Sequence, residues 1–168
     1  MKKFILALLC IFLFAGLCFA ADPVEGYWIS YDEKTGKATA GWKIWVENGK
    51  LFGTITSVPN EPRDGLAYGT KGKGPYDDFP VKGEMCKMQT IGTPWIYNLE
   101  KLETGKWAKG CIIDPNDGSR YKCKITFHKA DGKKYMKDTL EMRGEIGLGI
   151  GRSQFWLAAT QEEAEGFN

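Results

Sequence analysis

The residues able to do chemistry are few. His128 is the only histidine in the chain, so acid–base work by imidazole has one candidate and a zinc site built on several histidines has none. Ser30, Ser57, Ser119 and Ser153 are candidate nucleophiles. A serine needs a base and a third group that orients the base, and no Gly-x-Ser-x-Gly elbow occurs to present one. Asp114-Pro115-Asn116-Asp117-Gly118 has the oxygen-rich composition of a calcium loop. Calcium loops place ligands at alternate positions and close with a bidentate Glu; here the acids fall out of step and the next Glu is Glu141, so a turn is expected. Gly69-Thr70-Lys71-Gly72-Lys73-Gly74 has the look of a phosphate cradle but lacks the final Lys-Ser/Thr pair and a following helix. No catalytic residue, metal ligand or cofactor is predicted.

The elements that would carry these residues read almost entirely as strands. Gly26–Tyr31 is short and aromatic. Ala38–Glu47 alternates, with Trp42, Ile44 and Val46 on one face and Lys43, Trp45 and Glu47 on the other. Asn48-Gly49 is a hairpin signal because both central residues of that tight turn need positive φ, and Lys50–Val58 returns with β-branched and aromatic residues. Strands are also expected over Lys106–Asp114, Ser119–His128, Lys133–Arg143 and Arg152–Ala159; Trp95–Leu102 reads equally as a strand or a brief helical turn. On Ser119–His128 the side chains of Tyr121, Cys123, Ile125 and Phe127 share a face, and on Lys133–Arg143 those of Met136, Leu140 and Met142 do. Gly144–Gly151 reads as a turn, and the acidic tail from Gln161 to Asn168 as a last helical turn or a frayed end. Between them Pro59–Pro94, rich in Pro and Gly, forms one inserted loop of a length that is usually functional or poorly ordered. About eight antiparallel strands in one domain predict an up-and-down barrel, with a two-sheet sandwich as the competing arrangement.

The start of the chain reads as an export signal. Lys2-Lys3 precede an uncharged run to Phe19 and small residues at Ala20-Ala21, the pattern of a cleaved secretory segment over 1–20. The other readings are an uncleaved anchor and a lipid-modified Cys18, the latter disfavoured by the bulky Leu17 before it. Cleavage would leave residues 21–168 with 21 basic and 21 acidic side chains. A neutral chain has no global field for nucleic acid or an anionic surface, and no membrane-spanning segment is expected after cleavage. The compartment predicted is periplasmic or extracellular. Three cysteines would remain, Cys86, Cys111 and Cys123, too few for a disulfide-built fold. Cys111 and Cys123 flank the Asp114–Gly118 turn. A three-residue turn would place them opposite one another and would turn Lys109 inward. A two- or four-residue turn would pair Ala108, Gly110 and Ile112 with Ile125, Cys123 and Tyr121 and bury no charge, which favours it.

A family resemblance rests on Gly26-Tyr27-Trp28 near the start, then Gly105-Lys106-Trp107-Ala108-Lys109-Gly110, Asp114–Gly118, Tyr121-Lys122-Cys123, Arg143-Gly144 and Arg152-Ser153-Gln154-Phe155-Trp156. In that order and behind a signal segment, these residues resemble the uncharacterised bacterial domain-of-unknown-function family numbered 2147, over roughly Asp22 to Ala158. The resemblance implies a secreted, lipocalin-like barrel with no established activity. It also implies that Gly26 and Trp28 close one barrel end with a basic side chain across the indole, Arg152 or alternatively Arg143.

Inward-facing aromatics in such a barrel either fill it or line a cavity. Trp42, Tyr121, Phe127 and Trp156 are the candidate lining, with Arg143, Arg152 and Tyr121 as the polar groups that orient a ligand. The function expected is therefore non-enzymatic binding of a small apolar or amphipathic molecule. The alternative is an envelope interaction module with a packed core that touches a protein partner through the 59–94 loop or a sheet edge.

Overall fold

The structure, a computed structural model, describes residues 21–167. The signal-type segment over 1–20 lies outside the described residues. Eight strands run β1 (Gly26–Tyr31), β2 (Ala38–Glu47), β3 (Lys50–Ser57), β4 (Ile96–Glu103), β5 (Lys106–Ile113), β6 (Arg120–His128), β7 (Thr139–Gly147) and β8 (Ile150–Ala159), followed by the short helix α1 (Gln161–Glu165). Each strand pairs antiparallel with the next, and β8 returns to β1, closing an up-and-down barrel. The sandwich is thereby excluded.

Local chemistry explains most of these elements. Asn48 and Gly49 take φ of 50° and 74°, the geometry the β2–β3 hairpin demands. Gly26 has φ of 135°, so the glycine of Gly26-Tyr27-Trp28 is needed by the backbone as the chain turns into β1. In β2 the residues Trp42 and Ile44 are buried, as their alternation predicts. The segment left open as strand or helical turn is β4, bent at Asn98, which adopts φ of 60°.

Two boundaries differ from the sequence expectation. Lys133–Lys137 is not strand: Asp131 accepts from the backbone N–H groups of Lys133 and Tyr135, and Asp138 accepts from that of Ala130, so this stretch is a carboxylate-braced loop. Met136 is accordingly exposed at 76% rather than sharing the inner face of Leu140 and Met142. Gly144–Gly151 is not one long turn either. Strand β7 continues to Gly147 and β8 starts at Ile150; only Leu148 and Gly149 lie between them.

The β5–β6 register follows the charge-free alternative, with Gly110 opposite Cys123, Cys111 opposite Lys122 and Ile112 opposite Tyr121. Its detail differs below Gly110. A bulge at Lys109, φ 62°, turns that side chain outward to Glu100 and pairs Trp107, not Ala108, with Ile125. Cys86, Cys111 and Cys123 are all free thiols. Cys123 is buried inside the barrel, and burial pushes its thiol far above the ordinary range.

The inserted loop between β3 and β4 folds over the outside of the wall. Phe79 packs against Trp95 and edge-on to Tyr97, and the Arg120 guanidinium lies 4.8 Å from the Tyr76 ring centre while bonding Asp78 at 2.6 Å. Gly69, in the segment that looked like a phosphate cradle, is pressed against the backbone of Asn116 so closely that a Cβ would stand 1.7 Å from its carbonyl oxygen. Gly69 and the buried Thr70 thus serve packing, while residues 71–74 are exposed.

One barrel end is closed by the N-terminal residues. Trp28 is buried, donates its indole N–H to Val24 O at 3.0 Å and meets Phe127 edge-to-face. Asp22, 7% exposed, pairs with Lys101 at 2.9 Å and accepts from the N–H groups of Gly105 and Val24. Burial works against its charge, but Lys101 and these donors outweigh burial and hold the carboxyl below its usual value. A depressed pKa contributes stability above the unfolded value that is lost as pH falls through the folded one. Asp22→Asn should therefore lower the unfolding free energy at neutral pH by about 2 kcal/mol, reduced from the fully buried case because Lys101 is half exposed. The difference from the parent should shrink below about pH 4 in urea titrations.

Candidate functional site

The barrel is filled at one end and hollow at the other. Toward the closed end Ile44, Leu51, Leu99, Ile125 and Leu140 are each at most 1% exposed and fill the interior. Above them Trp42 from β2 and Trp156 from β8 stack with ring centres 4.5 Å apart and planes 18° from parallel. Their burial follows from strand alternation, and each indole N–H has a partner: Trp42 donates to Ser30 Oγ and Trp156 to Gln154 Oε1, both at 3.1 Å. Ser30 is fixed in turn by Thr39 Oγ1 and Ala40 O.

This indole pair forms the floor of a cavity of about 610 Å³ that opens among the β1–β2, β5–β6 and β7–β8 turns. That volume is within the range of small-molecule sites, about 300–1,000 Å³. Ile112, Met142 and Gly144 supply apolar wall, Tyr121 and Gln154 polar wall, and Asp32, Asp114 and Arg152 stand at the rim. Asp32 is engaged in its own turn, accepting from the N–H groups of Lys34 and Thr35 and from the Thr35 hydroxyl, which together lower its pKa. The site offers a flat aromatic base, an aliphatic wall and a polar rim.

Of the six residues proposed from sequence as ligand-binding, four surround this space: Trp42, Tyr121, Arg152 and Trp156. Phe127 does share the inner face, but at the closed end against Trp28. Arg143 is a correction. Because Leu140, Met142 and Gly144 point inward, Arg143 points out, where it bonds Glu145 at 2.8 Å and Gly149 O at 2.9 Å.

The expected basic side chain across Trp28 is a second correction. Trp28 is registered opposite Ala158, six residues along β8 from Arg152 and so about 20 Å away. Arg152 instead bonds Glu33 at 3.0 Å beside the cavity mouth. Sequence reading missed Ser30, Gln154, Met142 and Gly144 as lining; the last three follow from extending the parity of Trp156 and Leu140 by two or four residues.

Elsewhere, His128, Glu141 and Ser153 lie side by side on the outer face of β6, β7 and β8. Glu141 stands in the middle, accepting from Ser153 Oγ at 2.8 Å and contacting His128 Nε2 at 3.0 Å. Burial opposes its charge, yet these two partners keep its carboxyl below the ordinary value. A nucleophile needs its base in contact with the hydroxyl; here a carboxylate separates the imidazole from the serine, and the Tyr135 ring covers the imidazole face. The Asp114–Gly118 segment is a turn whose carboxylates accept from the N–H groups of Asn116 and Ser119. Among the described residues no cluster of three or more His, Cys, Asp and Glu side chains is placed to hold a metal ion.

Comparison with known proteins agrees with this architecture. A family model described as an uncharacterized protein conserved in bacteria (DUF2147) matches residues 26–157. Among solved structures, the chain resembles one titled "Protein HP1028 from the human pathogen Helicobacter pylori belongs to the lipocalin family", with a TM-score of 0.62 and 13% identity over 85% of this chain and 87% of that one. At that identity the likeness concerns the fold, which is lipocalin-like. No curated protein matches the chain in sequence.

Proposed function

The chain belongs to the DUF2147 family of uncharacterised bacterial proteins, and from that premise we propose that it is an exported, non-enzymatic carrier of a small amphipathic molecule, held with its apolar part on the Trp42–Trp156 floor and its polar part at the rim. The observation that carries this reading is the half-filled interior. A barrel of eight strands is narrow enough for side chains to fill, and here the closed half is filled while the open half keeps a cavity bounded by aromatic and aliphatic side chains. The floor and wall are already largely out of water, with Trp156 at 0%, Trp42 and Met142 at 7% and Ile112 at 8% exposure, so the gain on binding comes mainly from the ligand's own apolar surface, at about 25 cal/mol per Å². The basic, then apolar, then small-residue order of the first twenty residues supports export to the periplasm or beyond.

The neutral apolar fluorophore N-phenyl-1-naphthylamine tests the site. Saturable fluorescence enhancement at one equivalent, reversed by dodecanol, is the expected result. Enhancement that never saturates, or none, would overturn the carrier reading and favour the packed interaction module.

A further inference from the structure

The inward row of β8 grades the cavity from bottom to top. Trp156 belongs to the floor, Gln154 lines the wall and Arg152 stands at the rim, successive members of one strand face about 7 Å apart. The floor keeps its own hydrogen bonds. Trp42 gives its indole N–H to Ser30 Oγ and Trp156 gives its own to Gln154 Oε1, each at 3.1 Å. An indole nitrogen only donates, so this contact fixes which way the Gln154 carboxamide is turned. With the oxygen held toward Trp156, Nε2 and its two N–H donors are turned away from the indole. Among the described residues nothing accepts from that nitrogen. Gln154 thus brings to the cavity wall a donor group whose orientation the floor itself sets.

The charged residues of the lining already have partners. Arg152 bonds Glu33 at 3.0 Å. Asp32 accepts from Lys34 and Thr35 within its turn, Asp114 accepts from the backbone and side-chain N–H groups of Asn116, and Glu61 is not free either. A carboxylate head group beside Gln154 would therefore leave water to meet no uncommitted cation of the lining, with carboxylates above it at the rim, and an unpaired charge is costly to bury. An ammonium head group would set its donors against those of Gln154. An uncharged carbonyl oxygen accepts from the amide N–H groups and has no proton of its own to place.

We infer that Gln154 selects the head group of the carried molecule, an amphiphile with an uncharged ketone or ester carbonyl that accepts from Gln154 Nε2 while its apolar chain lies on the Trp42–Trp156 floor. This assignment rests on the cavity being a binding site. It makes Gln154 a specificity residue twice bound, holding the floor through its oxygen and reading the ligand through its nitrogen.

Gln154→Glu tests this, because glutamate keeps an oxygen for the Trp156 indole and exchanges the amide donors for an acceptor. Displacement of N-phenyl-1-naphthylamine is followed in mildly alkaline buffer, where glutamate and decanoate are anionic and decylamine is cationic. From the parent, methyl nonyl ketone should displace the fluorophore at lower concentration than decanoate or decylammonium does. In Gln154→Glu the Kd of the ketone, taken relative to that of the fluorophore, should rise at least about tenfold. The relative Kd of decylammonium should fall, and the thermal midpoint should stay within a few degrees of the parent. The parent's ranking alone decides the matter should the variant not fold. A parent that prefers decanoate or decylammonium, or a ketone that displaces equally well from parent and variant, overturns the assignment and leaves the carrier reading standing. A parent that never binds the fluorophore saturably overturns both.

Discussion

Replacing Gly144 by leucine should abolish binding of N-phenyl-1-naphthylamine, with affinity lowered at least about tenfold, and should leave the thermal midpoint within a few degrees of the parent. Gly144 lies on the inner face of β7 within the cavity wall. A Cβ there would stand 3.4 Å from Tyr121 Cβ and 3.9 Å from Ile112 Cγ2, ordinary contact distances. Its backbone is not in the left-handed region, so a side chain brings no conformational cost. Leucine would extend from the wall beside Tyr121 and Ile112 into space the proposal assigns to ligand. Gly144→Ala, which adds one methyl, should bind nearly as the parent does. If the leucine variant binds normally, the molecule sits elsewhere.

The second large effect concerns stability. Gly41→Val should cost about 3 kcal/mol in urea unfolding and release α1 from the wall. Gly41 faces outward from β2, and a Cβ would stand 1.7 Å from the carbonyl oxygen of Ala164, a backbone atom that cannot yield while the helix remains docked. That same carbonyl accepts the hydroxyls of Thr56 at 2.7 Å and Ser57 at 2.6 Å. Two hydrogen bonds contribute about 1 kcal/mol each, and the cover over Ala164 and Ile29, both buried, supplies the remainder. A chain ending at Thr160 should be destabilised by a similar amount. Adding Gly41→Val to that shortened chain should then cost little, because both changes remove the same contact. Full additivity would show that the glycine matters for another reason.

The first two hairpins were legible because their signals are local: alternation in Ala38–Glu47 and an Asn-Gly pair that only one turn geometry suits. The β5–β6 register was legible because one alternative buried Lys109 and the other did not. Beyond that, the reading failed where side-chain caps or backbone contacts, some local and some distant in sequence, override the strand pattern. Lys133–Lys137 has strand-like composition, and its loop conformation is set by Asp131 and Asp138. Glycines at 144 and 151 looked like a turn, yet Gly151 is needed because its Cβ would meet Gly144 O across the β7–β8 pair at 2.3 Å. Phe79, Trp95, Tyr97 and Arg120 come together only after the barrel closes, so no pattern within residues 59–94 announces that the loop covers the wall.

At the site, parity was the most reliable guide. It put Trp42, Tyr121 and Trp156 inside, and the same parity assigns Arg143 to the outside once Leu140 and Met142 are taken as inward. The missing information for Arg152 was its height along β8, which depends on the β1–β8 pairing at Trp28 and Ala158. The helix start, by contrast, was readable and overlooked: Thr160-Gln161-Glu162-Glu163 is a capping box, with Thr160 Oγ1 accepting from Glu163 N and Glu163 Oε2 accepting from Thr160 N.

The most direct test of the carrier reading is native mass spectrometry of the processed protein purified from the cell envelope, beside its mass after denaturation. A reproducible excess mass that disappears on denaturation, and that Gly144→Leu fails to retain, is the expected result and would give the ligand a chemical identity. A native mass equal to that of the bare chain, unchanged after incubation with an envelope lipid extract, would contradict it.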